Sequence, residues 1–414
     1  MKIPLLLLVT LLPCTLSAAD DDANQGFIYG RVTTTDGAVH EGQLRWGGAE
    51  EAFWSEYFNG ARRGNRWADH VPDDQLVRTR PVRFLGLEIG EREEPLDLER
   101  PFMVRFGDID RIDAQGRELR VTLKSGSVVD LDRFGADDFA DGLEVRQVDG
   151  EVIAFDEWHV ASVAFLPATP LGPMPRRLRG TVRSADGDFT GAIQWNRELG
   201  MASDAIAGKT DGGEVSLRFD AIQSITRVAG DAVRVALRNG REVVLAGTRD
   251  VGDGHRGVYV NDPRYGRVLI SWSAFERVIF SDDGTGPGYD AFGPGRALTG
   301  TVTDLDGQRL AGRLVFDLDE SESVETLDAP RGGINYTIPF HRIASIVPAD
   351  GGRFAVVTLV DGEQVELEPA GDLGAGNAGL LVFVESDGKP NYVPWAAVRR
   401  VELDPGPTQV PRSR

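Results

Sequence analysis

Aromatic and arginine side chains are concentrated in one short stretch of the 414-residue chain, between Phe53 and Trp67. Aromatic ring faces beside guanidinium groups can hold a sugar ring, a peptide or an anionic partner. Such a cluster is unusual in a protein of net charge −20, and we interpret it as a partner-binding site. The candidate binding residues are Trp54, Tyr57, Arg62, Arg63, Arg66 and Trp67.

The spacing of the first aromatic residues in this stretch also permits a structural interpretation. The four aromatic residues from Phe53 to Phe58 follow the i, i+3, i+4 pattern of a helix. This pattern predicts a short amphipathic helix whose aromatic face packs as local core. The structural and the binding interpretations are compatible if only some of the rings are buried.

Two G-x-G-x-x-G strings, each with an aspartate two residues before it, form the second candidate feature. Such a string binds a dinucleotide when a strand precedes it and a helix follows it. Residues 258–260 and 380–382, which follow the strings, have the composition of strands and argue against a dinucleotide. Turns with positive φ, a backbone nest for an anion and an aspartate-assisted cation site stay open. The residues concerned are Asp250, Gly252, Gly254, Gly257, Asp372, Gly374, Gly376 and Gly379.

The other titratable residues show no spacing typical of catalysis or metal binding. The 5 histidines do not form a zinc motif of the H-E-x-x-H type, and no G-x-S-x-G nucleophile motif occurs. Acidic pairs such as Asp317 and Asp319 are expected on a solvated acidic surface. We therefore predict no catalytic residue, no metal, no cofactor and no enzymatic activity.

The elements that would position the candidate residues are β-strands in a recurring pattern. A strand, an Asp-Gly turn and a second strand occur three times, which is typical of hairpins. Each copy is followed by an aromatic and two apolar residues at intervals of three, a spacing that suits a 3₁₀ turn leading into a strand. The hairpin pattern begins at Gly30, Gly180 and Gly300, and the turn signature at Phe106, Phe219, Trp272, Phe340 and Trp395.

The recurrence predicts an all-β protein of three tandem repeats, each made of two related half-units. The order of strands and closing turn resembles SH3-like and Sm-like small β-barrels, a resemblance of fold that implies no specific function. Two arrangements stay open. Each half-unit could close a small barrel of its own, or the two halves could share the core of one compact β-sandwich.

Proline- and glycine-rich stretches set the predicted domain boundaries. We predict a first repeat at 20–165, a second at 178–280 and a third at 298–404. The first repeat is longer than the others, which predicts an insertion at about 47–101. The remaining segments are a signal peptide at 1–19, a Pro-rich linker at 166–177, a Gly/Pro-rich linker at 281–297 and a flexible tail at 405–414.

The N-terminal sequence predicts an exported protein, periplasmic or extracellular. Lys2, the apolar stretch after it and the small residues at 17–19 are typical of a secretory signal peptide. Cleavage would remove Cys14, the single cysteine, and would leave neither a disulfide nor a membrane span. The net charge of −20 argues against a nucleic-acid partner.

These features predict a non-enzymatic binding or scaffolding module of the cell envelope. Its partner is expected to be a protein or glycan of the envelope, contacted mainly by the insertion, and the oligomeric state stays open. One alternative is an enzyme that acts on glycans or envelope polymers through carboxylates converging in a cleft. The other is a purely structural envelope component.

Overall fold

The computed structural model describes residues 26–48, 50–84, 87–95, 101–169, 176–228, 231–282, 286–384 and 388–405. The predicted signal peptide, much of the first predicted linker and nearly all of the predicted tail lie outside the described residues. Within them the chain is nearly all β, as predicted, and its one α-helix is the single turn α1, Asp137–Ala140. No helix in this described part has the length and apolar composition needed to cross a membrane.

The first region, residues 26–165, contains an eight-stranded antiparallel sheet and two further strand pairs. Its strands are β1 (Tyr29–Thr34), β2 (Val39–Trp46), β3 (Tyr57–Ala61), β4 (Val77–Phe84), β5 (Leu87–Pro95), β6 (Pro101–Arg105), β7 (Ile109–Gln115), β8 (Glu118–Leu123), β9 (Val128–Asp132), β10 (Leu143–Arg146), β11 (Val152–Phe155) and β12 (Val160–Phe165). The sheet has the order β11-β10-β2-β1-β12-β7-β8-β9, while β3 pairs with β6 and β4 with β5.

The second region, residues 176–282, supplies ten strands of a twelve-stranded sheet. They are β13 (Arg179–Ser184), β14 (Gly187–Trp195), β15 (Ala205–Thr210), β16 (Gly213–Arg218), β17 (Ile222–Val228), β18 (Ala232–Leu237), β19 (Glu242–Ala246), β20 (Val258–Asp262), β21 (Gly266–Ile270) and β22 (Phe275–Ser281). Eight of them follow the order β21-β20-β14-β13-β22-β17-β18-β19, which matches the first sheet strand for strand.

The third region, residues 286–405, again contains an eight-stranded sheet and one further hairpin. Its strands are β23 (Thr299–Asp304), β24 (Arg309–Val315), β25 (Thr326–Arg331), β26 (Ile334–Pro339), β27 (Ile343–Ala349), β28 (Phe354–Leu359), β29 (Gln364–Leu367), β30 (Leu380–Phe383), β31 (Asn391–Val393) and β32 (Val398–Leu403). The order β31-β30-β24-β23-β32-β27-β28-β29 matches the other two. The three strand orders therefore agree, while the repeat count itself stays a prediction from sequence.

The two predicted half-units of a repeat are interleaved in one sheet. In the first region β2 and β1 come from the first half, yet they lie between β10 and β12 of the second half. The halves therefore share one sheet and do not close two separate barrels. This arrangement agrees with the alternative in which both halves share a core, and one apolar cluster contains residues from both halves.

Aromatic residues at the predicted tight turns anchor the core of each region. The turns are 3₁₀ at Phe106–Asp108, Phe219–Ala221, Phe340–Arg342 and Trp395–Ala397, and each leads into a strand. Phe106 stacks on Trp46 with ring centroids 5.4 Å apart, and neither ring is more than 2% exposed. Phe106, Phe219 and Phe340 are buried at the first positions of their turns, whereas Trp395 is partly buried. The predicted turn at Trp272 is present, but it is not a 3₁₀ helix.

The second and third regions are joined by continuous β-sheet hydrogen bonding. Strand β21 pairs with β26 from Arg267 opposite Thr337 to Ile270 opposite Ile334. The same two regions contribute to one apolar cluster. The predicted boundary at 281–297 is therefore spanned by sheet pairing as well as by chain, which fixes the relative position of the two regions.

Candidate functional site

Two of the candidate binding residues lie in the interior of the first region. The Trp54 side chain is 0% exposed, and its ring centroid lies 4.6 Å from Tyr289 and 5.9 Å from Phe165. Tyr57 is 1% exposed and is the first residue of β3. Neither side chain reaches the surface in this conformation, so both act as core residues.

The predicted amphipathic helix around these residues is wrong. Residues 57–61 are the strand β3, which pairs with β6, and Phe53 forms an isolated bridge with Phe27. The Glu56 carboxylate accepts hydrogen bonds from the backbone N–H groups of Ala52 and Phe53, at 2.5 and 3.0 Å. These bonds close a tight loop, and long-range pairing with β6 then extends the chain that the local pattern predicted as helix.

The other four candidate residues line a cavity of about 150 Å³ between the chain after β3 and the third region. The Trp67 side chain is 9% exposed and meets the ring of Phe383 edge-on at 5.8 Å. The exposed Arg66 guanidinium lies 4.5 Å from the centroid of the Trp67 ring. These residues, which the structure separates from the buried pair above, are Arg62, Arg63, Arg66 and Trp67.

Two ion pairs fix this part of the chain. Arg62 donates a hydrogen bond to Glu325 of the third region, and both side chains are largely buried. Arg63 donates to Glu118 at 2.9 Å, and both of those side chains are exposed. A buried pair depends strongly on both partners, whereas an exposed pair adds little stability. Arg62 therefore joins the chain after β3 to the third region, while the Arg63 side chain stays exposed beside the cavity.

The aspartates before the two glycine strings hold neighbouring hairpins. Oδ2 of Asp250 accepts a hydrogen bond from the backbone N–H of Ala207 in β15, at 2.9 Å. Oδ2 of Asp372 accepts one from the backbone N–H of Asp328 in β25, at 2.6 Å. The two carboxylates occupy corresponding places in the second and third regions, and each satisfies a backbone amide of a hairpin strand.

The glycine strings themselves form turns that lead into strands β20 and β30. Gly257 and Gly379 have φ of 102° and 90°, a conformation that favours glycine. Gly252, Gly254 and Gly374 have no φ between +20° and +160°. Strands follow both strings, as the sequence indicated, so no helix N-terminus is present there for a pyrophosphate. A loop anion or cation site stays a prediction.

The largest of the described cavities lies where the three regions meet, and it has a volume of about 640 Å³. This volume is within the usual range of small-molecule sites. The first and third regions supply its carboxylates, and the second region supplies three of its four arginines. Its charged lining consists of Glu51, Asp138, Asp141, Asp319, Glu320, Glu325, Asp328 and Asp372, with Arg62, Arg197, Arg256 and Arg267.

Two carboxylates of this central cavity have an oxygen without a protein partner. Glu51 is 4% exposed and Glu320 is 7% exposed, and Oε2 of each is buried without a hydrogen-bond partner. The nearest cation to Glu51 is Arg267, whose Nη1 lies 3.7 Å from Oε1. A buried polar atom without a partner costs roughly 1–3 kcal/mol, so each of these two side chains has unsatisfied hydrogen-bonding capacity beside the cavity.

Burial raises the pKa of several carboxyl groups in the central cavity. Desolvation, followed by the charge of Asp319, raises the pKa of Glu320 well above its ordinary value. Desolvation likewise raises the pKa of Glu51, with Asp138 as the next cause. The pKa of Asp372 is raised by desolvation and then by Asp328. Burial and the closeness of other carboxylates both favour the protonated form, which is the direction of all three pKa shifts.

Sequence reasoning missed this cavity because it treated acidic pairs as surface groups. Asp317 and Asp319 are 1% and 3% exposed, so the expectation of a solvated surface is wrong for them. The signal in the sequence was the density of acids from 317 to 325, which contains five carboxylates in nine residues. A high density of acidic residues in the sequence does not reveal that they are buried. They are buried because the three regions pack against one another around them.

The arrangement of acids does not form a recognisable metal centre. Among the described residues, no group of three or more His, Cys, Asp or Glu side chains has the geometry to hold a metal ion. The carboxylates line the cavity together with four arginines. Comparison with protein-family models and with curated proteins gave no match, which leaves the geometry of these cavities as the basis for assigning a function.

Proposed function

We propose that the chain is an exported, non-enzymatic binding module of the cell envelope that holds a small amine-bearing ligand in its central cavity. The observation that carries this proposal is the excess of carboxylates over arginines, eight against four, around a space of about 640 Å³. A concave site of this volume suits a small molecule or one glycan unit better than a folded protein. An amino sugar combines the amine with the glycan partner expected from the sequence.

The free acceptors of the cavity support a cationic ligand. An ammonium group offers three hydrogen-bond donors and one positive charge. Glu51 and Glu320 each offer an oxygen that no protein group uses. Placing an ammonium group between carboxylates would replace missing hydrogen bonds and remove repulsion between like charges. A bound ammonium group would favour the ionised carboxylates, so we expect binding to be linked to proton release.

The insertion contributes to the proposed site through Arg62. This residue lines both the central cavity and the smaller insertion cavity, and its ion pair with Glu325 separates the two. Trp67 packs beside the same wall in an apolar cluster with Val315 and Leu381. The insertion thus closes one side of the central cavity, and the exposed Arg63 and Arg66 remain available for a larger partner.

The direct test is titration calorimetry of the mature protein with the disaccharide of glucosamine. The N-acetylated disaccharide is the matched neutral ligand. We expect Glu320→Gln or Glu51→Gln to weaken binding of the amine by about tenfold or more. Glu366→Gln removes the same charge from an exposed strand position and is expected to leave affinity unchanged. Equal affinity for both disaccharides, or no binding by the unsubstituted protein, would contradict the proposal.

A second candidate function is hydrolysis of a glycan by carboxylates of the same cavity. The specific observation is that Glu320 has a raised pKa beside Asp319, so that one group could donate a proton while another is ionised. Release of reducing ends from envelope glycans, abolished by Glu320→Gln and retained by Glu366→Gln, would favour this candidate. Binding of the amine without turnover would favour the binding module.

A further inference from the structure

A third cavity, of about 230 Å³, is lined mainly by positive charge, in contrast to the acidic central cavity. It lies where β6, the start of β13 and the 3₁₀ turn before β27 approach one another, so all three regions contribute. Asp262 is the only carboxylate among its lining residues. The arginines that line it are Arg105, Arg177, Arg179 and Arg342.

Two of the four guanidinium groups are neutralised by acids of the first region. Arg105 donates to Asp108 from Nε at 2.7 Å and from Nη2 at 3.1 Å. Arg177 donates from Nη2 to Glu56 at 3.1 Å and from Nη1 to Ser55. These bonds hold both side chains in fixed positions at the cavity wall.

The single carboxylate that lines this cavity already accepts hydrogen bonds from other protein groups. Asp262 accepts hydrogen bonds from Arg264, through Nε at 3.0 Å and Nη2 at 2.9 Å, and from the backbone N–H of Thr190 at 3.0 Å. The Asp262 carboxylate therefore pairs with Arg264, which is not one of the four arginines that line the cavity. The cavity has no free acid with which to balance the remaining cations.

Arg179 and Arg342 are the unbalanced pair. Among the described residues, neither guanidinium makes an ion pair or a hydrogen bond, and Nε of Arg342 is buried without a partner. Burial, and then the charge of Arg105, lower the pKa of Arg342. Uncompensated buried charge is costly unless a counter-ion is supplied. In a chain of net charge −20, this concentration of positive charge is a local exception.

We propose that this arginine cavity binds a tetrahedral oxyanion, either free phosphate or sulfate or the phosphoryl or sulfate group of a larger molecule. Guanidinium forks match such oxygens with paired hydrogen bonds. The two prepositioned arginines, Arg105 and Arg177, would define the wall, while Arg179 and Arg342 would provide the net charge. Tyr57 adds an aromatic wall between this cavity and Arg267, whose guanidinium lies 4.4 Å from its ring centroid. The site is independent of the proposed amine site.

Calorimetry and thermal unfolding with inorganic phosphate, sulfate and chloride at constant ionic strength test this proposal. Phosphate or sulfate, but not chloride, is expected to bind and to raise the melting temperature. Arg342→Gln is expected to weaken binding by about tenfold or more, and to melt no lower than the unsubstituted protein in chloride. Arg399→Gln removes an exposed guanidinium and serves as the charge-matched control.

A second variant keeps the proposal testable if Arg342→Gln fails to fold. Arg179→Gln alters a half-buried residue at the start of β13 and is expected to weaken phosphate binding similarly. Glycerol phosphate distinguishes a free anion from the phosphoryl group of a larger molecule. Tighter binding of glycerol phosphate than of inorganic phosphate supports a larger phosphorylated ligand, and weaker binding supports the free anion. The proposal is overturned if the unsubstituted protein binds no oxyanion at millimolar concentration, or if both cavity variants bind as the Arg399→Gln control does.

Discussion

Arg177 of the second region donates a hydrogen bond from Nη2 to Oε1 of Glu56 in the first region at 3.1 Å, and each side chain is 1% exposed. The other carboxylate oxygen of Glu56 accepts two backbone amides of its own loop. Glu325 has the same two roles in the third region, capping its loop and pairing with Arg62. One buried glutamate therefore both shapes a loop and joins two regions.

Removing the charge of Glu56 is expected to destabilise the protein strongly. Glu56→Gln leaves the Arg177 guanidinium buried without its counter-charge, and we expect the free energy of unfolding to fall by about 3–5 kcal/mol. Chemical denaturation measures this change. The control is Glu41→Gln at the exposed pair with Arg31, for which we expect a loss below about 1 kcal/mol. Equal losses for the two variants would show that the buried pair does not hold the regions together.

Truncating an aromatic residue and an arginine of this stretch is expected to lower the free energy of unfolding by very different amounts. Trp54→Ala would leave a large cavity beside Tyr289 and should lower the free energy of unfolding by about 3–5 kcal/mol. Arg63→Ala would remove only an exposed pair with Glu118 and should cost less than about 1 kcal/mol. Thermal unfolding of both variants checks this. A small effect of Trp54→Ala would mean that its ring is not part of the packed core.

The stability conferred by Glu320 is expected to decrease as pH rises. Its pKa is raised in the folded state, so the folded protein retains a proton that the unfolded chain releases above the ordinary glutamate pKa. Glu320→Gln should match the unsubstituted protein in acid, where the carboxyl group is protonated in both states, and should exceed its stability at higher pH, where only the unfolded chain ionises freely. Denaturation at several pH values tests the slope. Glu366→Gln, with its exposed side chain, should show no such divergence.

His255 is expected to have the opposite pH dependence. Burial, and then Arg256, lower its pKa from 6.5 to about 3, and its ring stacks on Trp272 at 4.3 Å. Below pH 6.5 the unfolded chain takes up a proton that the folded protein excludes, so stability falls by about 1.4 kcal/mol for each pH unit. His255→Asn should reduce this slope.

An asparagine already occupies the position that corresponds to His255 in the third region. Nδ1 of His255 accepts a hydrogen bond from the backbone N–H of Gly257 at 3.0 Å. At the corresponding place in the third region, Oδ1 of Asn377 accepts one from Gly379 at 2.7 Å. The turn is therefore expected to survive the substitution. An unchanged slope in acid would show that His255 is not the titrating group.

Much of the fold could be predicted from local patterns in the sequence. Alternating apolar residues, Asp-Gly turns and the spacing of three at residues such as Phe106 and Phe340 identified strands and 3₁₀ turns. These signals are local because a strand face and a tight turn each depend on neighbours in sequence. The aromatic cluster after Phe53 was located correctly but interpreted wrongly as a helix, because pairing with β6 overrides its local periodicity.

The sequence by itself determined the all-β class, the recurring turns and the position of an unusual aromatic and arginine-rich stretch. Only the tertiary structure decided which of those residues are buried and which charges meet. Trp54 and Trp67 look alike in the sequence, yet Trp54 lies in the core of the first region and Trp67 packs against the third region. Likewise Glu320 and Arg342 are ordinary surface types until three distant regions enclose them. Burial and charge proximity arise from contacts across long sequence separations, and no local pattern encodes them.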